Sequence, residues 1–244
     1  MLTPITRLIA LLALSLSYQV TVVAEDLSTE ASIAAKIQAA IPQLPITTVS
    51  ASQIEGFYEV ELANGERLFA NAKADHFIAG DMFQINDLGL VNLSEAKRDK
   101  NRADKIAALK DEDKIIFSPK NKKATVTVFT DVDCGYCRKL HTHMAGYLAR
   151  GIEIQYLAFP RAGIGSNSYN KIVSAWCAKD KQDALTRLKN GEVVASASCE
   201  NPVADQYRLG SELGVTGTPA LVLESGKIYP GYIEPDQLAR VLGI

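Results

Sequence analysis

The sequence has little of what several common functions require. Its 26 basic and 28 acidic residues nearly cancel, to a formal net charge of −2, and no basic patch or arm argues for nucleic acid as a partner. Gly163 and Gly165 lack the third glycine of a dinucleotide-binding fingerprint. After the amino terminus, no apolar run is long enough to span a bilayer.

Cysteine is also scarce, and its spacing argues against zinc. Only one pair of the four cysteines has CxxC spacing, so a four-cysteine zinc ribbon lacks its second knuckle. His141 and His143 could add ligands, but on a helix His143 points away from the face that Cys137 and His141 share. We therefore expect no metal and no other cofactor, and two exposed histidines.

The amino terminus has the pattern of a secretory signal peptide. Arg7 precedes the apolar run 8–16, and the small residues Val22 and Ala24 lie at positions −3 and −1 relative to a cut after Ala24. The run is too short to span about 30 Å of hydrocarbon comfortably, which argues against a membrane anchor. We expect residues 1–24 to be removed and the mature protein to be soluble in an oxidising compartment.

Residues 25–92 are predicted to form a small helix-plus-antiparallel-sheet domain. Apolar residues at helical spacing predict a helix up to residue 41. Residues 54–72 alternate polar and apolar around Asn64-Gly65, a hairpin-turn sequence, and 76–86 predicts another strand. A domain this small without a disulfide is marginal alone. Self-association through a sheet edge would stabilise it.

Residues 93–113 are predicted to form a linker helix. Seven positive and six negative charges crowd residues 94–114, and Ser94 could cap the start. A helix polar nearly all round bridges domains, although a solvated surface helix of one domain is the alternative. Such a linker would span about 30 Å. Three ion pairs are expected along it: Glu95–Arg98, Asp99–Arg102 and Lys100–Asp104.

Residues 114–244 read as an α/β domain with a mixed sheet. Short apolar strands precede and follow a helix that begins at the first cysteines, and a further helical region runs through Trp176 and Ala184. A hairpin turning at Ser225-Gly226 and a last helix opened by Pro235 complete the domain. This order of elements indicates an α/β fold.

The four cysteines fall into two kinds. Cys177 and Cys199 lie 22 residues apart, and Cys177 sits in an apolar helical stretch, so a permanent disulfide is expected. Cys134 and Cys137 lie between a strand and a helix, where unpaired backbone amides favour thiolate over thiol. We expect Cys134 to face outward as the nucleophile and Cys137 to lie inward as the resolving cysteine.

Thr218-Pro219 immediately precedes an apolar strand. A trans proline there would be an ordinary strand starter. A cis proline would leave the Thr218 backbone free to pair with an extended peptide. The residues alone do not choose between the two.

Five blocks of sequence resemble the DsbC family of bacterial periplasmic protein disulfide isomerases, a branch of the thioredoxin superfamily. The likeness extends from about residue 90 to the end and is weaker before that. The blocks are CGYC (134–137), YLAFPR (156–161), WCAKDK (176–181), ASC (197–199) and LGVTGTPALVL (213–223).

The resemblance implies a V-shaped homodimer. Residues 25–92 would form a cystatin-like dimerisation domain, 93–113 the linker helix, and 114–244 a thioredoxin fold with a helical insertion. The two sites would face an uncharged cleft that binds misfolded, disulfide-containing exported proteins, and the membrane reductase DsbD would keep the enzyme reduced in the periplasm. Residues implied to bind substrate are Gly135, Tyr136, Thr218 and a cis Pro219 facing Cys134.

One departure from thioredoxin concerns proton transfer. The position of its buried acid is Val128 here, so Cys137 must use another group or water; Asp131 and Asp133 lie near in sequence.

Other functions remain possible on this scaffold. One is a related reductase of oxidised single cysteines, which tends to carry proline where Gly135 stands. A direct oxidant of the DsbA type would not need the small domain. A non-catalytic holdase would not need the thiols.

Overall fold

The computed structural model describes residues 29–63, 65–87 and 89–244. The predicted signal peptide, residues 1–24, and Asn64 of the predicted hairpin turn therefore lie outside the described residues. Among the described helices, none has the length and apolar character that crossing a membrane requires.

A single helix covers a four-stranded antiparallel sheet in the amino-terminal domain. Helix α1 (Thr29–Ala40) packs on a sheet of order β1-β2-β3-β4, made of Ile46–Ala51, Phe57–Leu62, Arg67–Asn71 and Phe77–Ala79. Alternate positions of β2 and β3 face the helix, as the period of two predicts. The buried core is small: Ile33, Ile37, Val60, Leu62, Leu68 and Ala70.

The single strand predicted over residues 76–86 is wrong. The first strand ends before Gly80, whose φ of +152° is a backbone conformation that residues with a side chain rarely adopt. Beyond the break, β5 (Phe83–Asn86) leaves the larger sheet and pairs with β6 (Gly89–Asn92) in a two-stranded ribbon. Neither β1 nor β6 was predicted.

The linker helix α2 spans Leu93–Ala107, and a 3₁₀ turn follows at Asp111–Asp113. All three predicted ion pairs are present, each with a nitrogen–oxygen distance of 2.5 Å. At fifteen residues the helix is about 22 Å long, shorter than predicted.

Ser94 does not cap α2. The Asn92 side chain accepts a hydrogen bond from the Glu95 amide at 2.9 Å, while the buried Ser94 hydroxyl accepts from the Met82 amide at 2.9 Å. Asn92 was not predicted as the cap because Ser94, two residues later, is an equally good capping residue.

Helix α2 contacts both domains. Near its start, Lys97 pairs with Glu59 of β2 at 3.1 Å. Further along, the buried Arg102 donates to the Gly226 carbonyl at 2.8 Å. Ile106 and Leu109 then pack against the core of the carboxy-terminal domain. The linker thus joins the domains and docks on the second one.

The carboxy-terminal domain has a five-stranded mixed sheet of order β11-β10-β8-β9-β7. Its central strands β8 and β9 are parallel, and the other pairings are antiparallel. In chain order, β7 to β11 are Ile115–Phe117, Ala124–Thr130, Ile152–Ala158, Ala220–Leu223 and Ile228–Pro230.

Helices cover both faces of this sheet. In chain order, the helices α3 to α8 are Gly135–Thr142, Met144–Ala149, Asn167–Trp176, Lys181–Lys189, Val203–Glu212 and Pro235–Leu242. Val126 and Val128 of β8 face a core shared with α3, α4, α5, α6 and α8, whereas Phe129 faces a second core shared with α2 and the end of α7. Helix α7 was not predicted.

Candidate active site

The CxxC pair lies where β8 gives way to α3. Cys134 is the residue before the first helical position, and the Arg138 amide donates to its carbonyl at 3.0 Å. Both cysteines are free thiols. The prediction that Cys134 faces outward is wrong in this conformation, because only 3% of the residue is exposed. Cys137 is fully buried, and Tyr136 between them is 65% exposed.

Strand pairing brings a second segment to the cysteines. Ala220 of β10 pairs with Phe129 of β8, which places the preceding residues beside the end of β8. The Thr218-Pro219 peptide bond is cis. The Cys134 sulfur lies 3.2 Å from the Thr218 carbonyl oxygen, to which the protonated form of the thiol can donate. The structure therefore brings Cys134, Cys137, Thr218 and Pro219 together.

The surroundings of Cys134 favour its thiolate. Its pKa is lowered from 9.0 to about 5, first by a hydrogen bond from the Cys137 thiol, and then by Thr218, the Cys137 backbone amide and the positive charge of Arg161. Burial opposes this shift but does not outweigh it. The amide contribution is the one expected at the start of a helix.

Cys137 is held as a thiol. Burial raises its pKa well above the ordinary value, and its hydrogen bond to Cys134 raises it further. A thiol must lose its proton before it attacks a disulfide. The two cysteines of the pair are therefore unequal, with one ready to attack and one that needs help to ionise.

The two nearby acids do not serve Cys137. The buried Asp131 carboxylate accepts from the amides of Asp133 and Arg161 at 2.9 and 3.0 Å and from the Ser168 hydroxyl. These hydrogen bonds lower its pKa although burial opposes them. Asp133 pairs with Lys171 at 2.9 Å. Asp131 therefore orders the loop, and Asp133 faces a surface lysine.

The prediction of two exposed histidines is wrong. His141 is buried, with Nδ1 3.2 Å from the Tyr156 hydroxyl and Nε2 3.0 Å from the Thr186 hydroxyl. Burial lowers its pKa to about 4, so it is neutral at pH 7. His143 Nδ1 is hydrogen-bonded to the Tyr232 hydroxyl. Within the part of the chain that the structure describes, no three His, Cys, Asp or Glu side chains are grouped to hold a metal.

Sequence reasoning missed one buried cation near the pair. Lys189, the last residue of α6, is 3% exposed. Its ammonium group donates to the Thr130 hydroxyl at 2.5 Å and to the Asp131 carbonyl at 3.0 Å. The sequence carried no signal for this, because a lysine in the last turn of a helix is ordinary and its burial depends on which face of α6 packs inward.

A disulfide ties the helical insertion to the domain. Cys177, directly after α5, is bonded to Cys199, four residues before α7, with a Cα–Cα distance of 5.7 Å. The bond lies apart from the CxxC pair and closes the segment that contains α6.

Known proteins share both parts of the chain. Residues 24–95 match the family described as "Disulfide bond isomerase protein N-terminal domain", and residues 110–243 match "Thioredoxin-like domain". A solved disulfide interchange protein from Neisseria gonorrhoeae is 29% identical with a TM-score of 0.50, covering 55% of this chain and 96% of that one.

Curated relatives match over most of their length. The thiol:disulfide interchange protein DsbC of Escherichia coli K12 is 41% identical over 181 residues, 74% of this chain and 75% of that protein. DsbC of Salmonella typhimurium is 39% identical over 196 residues, 80% of each. The chain therefore belongs to the DsbC family of thiol:disulfide interchange proteins, and it is a disulfide isomerase with a thioredoxin-like domain.

Proposed function

We propose that this isomerase rearranges wrong disulfides in exported proteins through Cys134 as nucleophile and Cys137 as resolving thiol. The observation that carries the proposal is the position of the Cys134 sulfur, directly before α3 and 3.2 Å from the carbonyl before the cis proline. At this position the pKa of Cys134 is lowered to about 5. A thiolate is the form that attacks a disulfide.

The reaction begins when the Cys134 thiolate attacks a substrate disulfide. A mixed disulfide forms and one substrate sulfur leaves as a thiolate. A second substrate thiol can then attack, which releases the enzyme and isomerises the substrate. If Cys137 attacks instead, the enzyme pair is oxidised and the substrate is reduced.

Substrate binding falls to the residues around the sulfur. Gly135 and Tyr136 are exposed at the start of α3, and Tyr136 offers a large apolar surface to an unfolded chain. The Thr218 hydroxyl is buried, has no other hydrogen-bond partner among the described residues, and lies close enough to the Cys134 sulfur to lower its pKa. It is free to donate to the sulfur or to a peptide that lies along Thr218-Pro219.

A homodimer is proposed from the apolar surface of residues 25–92. The edge strand β4 and the ribbon β5–β6 expose Ile78, Phe83, Ile85 and Leu90. Such edges and patches mark protein interfaces, and an isolated two-stranded ribbon is marginal in water. With 93–113 as linker and 114–244 as catalytic domain, two copies would form a cleft with chaperone-like affinity for misfolded chains.

The setting we propose is the periplasm. Residues 1–24 would direct export, and the reactive pair would be kept reduced by the membrane reductase DsbD. Isomerisation needs this, because an oxidised pair has no thiolate with which to attack.

The test is refolding of ribonuclease with scrambled disulfides by the wild type, Cys134→Ser and Cys137→Ser. We expect the first variant to lose isomerisation and the second to keep part of it, because substrate thiols can still resolve the mixed disulfide. Suppression of aggregation should survive in both. Full isomerisation by Cys134→Ser would make the protein a holdase, and activity only on oxidised single cysteines would make it a reductase of the DsbG type.

A further inference from the structure

Lys189 is buried without a neutralising partner. Both of its hydrogen-bond acceptors, the Thr130 hydroxyl and the Asp131 carbonyl, are uncharged. Among the described residues, no ion pair includes its ammonium group. The Asp131 carboxylate acts on it only through space and is itself paired with Arg161 and hydrogen-bonded to Ser168. A buried cation without a counter-ion is costly, so its presence calls for a functional reason.

The ammonium group lies directly behind the active-site loop. The same Asp131 carbonyl accepts from the Cys134 amide at 3.3 Å, and the Asp131 amide faces the Cys137 sulfur. The ammonium nitrogen is also 5.7 Å from the ring centre of Tyr156, a fully buried residue that feels the charge of Cys137. Lys189 and Cys137 are thus both buried behind the same loop, where the Asp131 backbone contacts each of them.

The charged and titratable groups that face Lys189 come from three directions. The charged forms of Cys134, Cys137 and Asp131 favour its positive form, whereas Arg138 opposes it. The full set is Cys134, Cys137, Arg138 and His141 at or within α3, Asp131 in the loop after β8, and Tyr156 on β9.

We propose that Lys189 is a positioning residue for the resolving step, in which its buried positive charge stabilises the Cys137 thiolate while Cys134 is held in a mixed disulfide. The proposal rests on the roles of Cys134 and Cys137 given above. In that state Cys134 carries no charge. Cys137 is then the cysteine whose thiolate can balance the positive charge of Lys189. Lys189 therefore supplies the help that neither Asp131 nor Asp133 gives.

The chemistry of the step is balanced without another reactant. The Cys137 thiolate forms a bond to the Cys134 sulfur, and the bond between Cys134 and the substrate sulfur breaks. The electron pair leaves with the substrate sulfur, so the substrate is reduced and the enzyme pair is oxidised. The Cys137 proton passes to water, and the leaving thiolate takes one up.

Burial shifts the pKa of both groups against charge. It lowers the pKa of Lys189 to about 8 and raises that of Cys137. Each group relieves this cost for the other when both are ionised, because opposite charges attract strongly where water is excluded. At pH 7 most Lys189 is still protonated and able to act.

The experiment uses a chromogenic aromatic disulfide whose released thiolate absorbs visible light. The reduced enzyme releases one thiolate when Cys134 attacks and a second when Cys137 resolves, so the two steps appear as separate phases. The variants are Lys189→Met, which removes the charge at similar volume, and Lys189→Arg, which keeps it. The control is Lys181→Met on the same helix, where the half-buried lysine donates to the Glu112 carbonyl.

We expect Lys189→Met to slow the second phase at pH 7 by about threefold for each unit by which the pKa of Cys137 rises. The thiolate fraction falls about tenfold per unit, and the greater nucleophilicity of the remaining thiolate recovers about threefold. Lys189→Arg should restore part of the rate, and Lys181→Met should match the wild type.

A role in packing alone would give a different pattern. Loss of an unpaired buried charge should leave the thermal midpoint of Lys189→Met equal or higher, so a slow second phase in a stable protein supports the proposal. An unchanged second phase overturns it. Should Lys189→Met not fold, the wild type decides: the second phase should stop rising with pH above about 8, where Lys189 loses its charge, and a continued rise overturns the proposal. Absence of both phases in the wild type would instead refute the proposed roles of the cysteines.

Discussion

At the scale of single residues, two cysteines three positions apart have opposite properties. Cys134 precedes α3. Hydrogen bonds from the Cys137 thiol and the Cys137 backbone amide, together with the positive charge of Arg161, lower its pKa to about 5. Cys137, one turn further, is fully buried, and this raises its pKa. The start of a helix thus separates a cysteine that favours its thiolate from a cysteine that is held as a thiol, as the proposed roles of nucleophile and resolving thiol require.

The pH dependence of the reduced enzyme follows from Cys134. Its folded pKa of about 5 lies below the ordinary value of 9.0, so between these values the unfolded chain binds more protons. The stability of the reduced form therefore rises with pH over this window and loses the contribution as pH falls through 5. We expect the rate of Cys134 alkylation to have its midpoint near pH 5.

Cys137→Ala provides the control for this titration. It removes the hydrogen bond that contributes most to the low pKa of Cys134. The alkylation midpoint should move to higher pH, and the stability window should narrow from its acidic side. A wild-type midpoint between pH 8 and 9, as for an unperturbed thiol, would contradict the assignment.

Sequence predicted the reactive pair because its signal is local. CxxC between a strand and a helix fixes the environment of both sulfurs within a few residues. Lys189 and His141 depend instead on which helix faces come together. Lys189 reads as an ordinary basic residue in the last turn of α6, and His141 becomes neutral only when β9 and α6 close over it.

At the scale of elements, periodicity predicted most helices and strands of both domains. The errors occur where a local signal was weak or divided. Gly80 ends a strand by its backbone conformation, and Asn92 competes with Ser94 as a helix cap. Helix α7 has polar and apolar residues mixed on the face that packs against Phe129 and Phe159. The docking of α2 on the catalytic domain was not predictable, because it depends on a contact across 124 residues.

That contact depends on the absence of a side chain at Gly226. A Cβ atom there would lie 1.7 Å from the Asp99 carbonyl oxygen of α2. Gly226→Ala should therefore displace α2 and lower the free energy of unfolding well beyond the roughly 1 kcal/mol that a positive φ costs a non-glycine residue. Chemical denaturation measures the difference.

Gly191→Ala is the matched control. Gly191 has a φ of +84°, against +83° at Gly226, and a Cβ atom there meets nothing within 4 Å. This variant should show the backbone cost alone. Equal destabilisation of the two variants would mean that the packing of α2 against the turn contributes nothing.

At the scale of the whole molecule, one chain is an incomplete isomerase in our proposal. The chemistry of a single disulfide exchange needs only the carboxy-terminal domain, where both cysteines and Thr218-Pro219 meet. Holding a misfolded protein through successive exchanges needs a surface larger than one site. The amino-terminal domain contains neither cysteine and instead has a small core and a broad exposed apolar edge, as a surface for association would.

Charged residues placed on that edge should abolish dimerisation and reduce isomerisation of a misfolded protein, while a single disulfide exchange continues. Ile85 is 85% exposed and pairs across the ribbon with Leu90, so Ile85→Lys/Leu90→Lys removes no contact of the chain's own core. We expect light scattering to give the mass of a monomer, because buried, unpaired lysines oppose association. Both phases with the chromogenic disulfide should remain, while isomerisation of scrambled ribonuclease falls at least severalfold.

Val193→Lys is the control, since Val193 is equally exposed but lies in the catalytic domain. It should leave the mass of a dimer unchanged, which shows that added lysine is not dissociating in itself. If the ribbon variant keeps the dimer mass, the two copies meet elsewhere. If it becomes monomeric and still isomerises at the wild-type rate, the cleft is not needed, and a single site with its unequal pair of thiols is enough for the reaction.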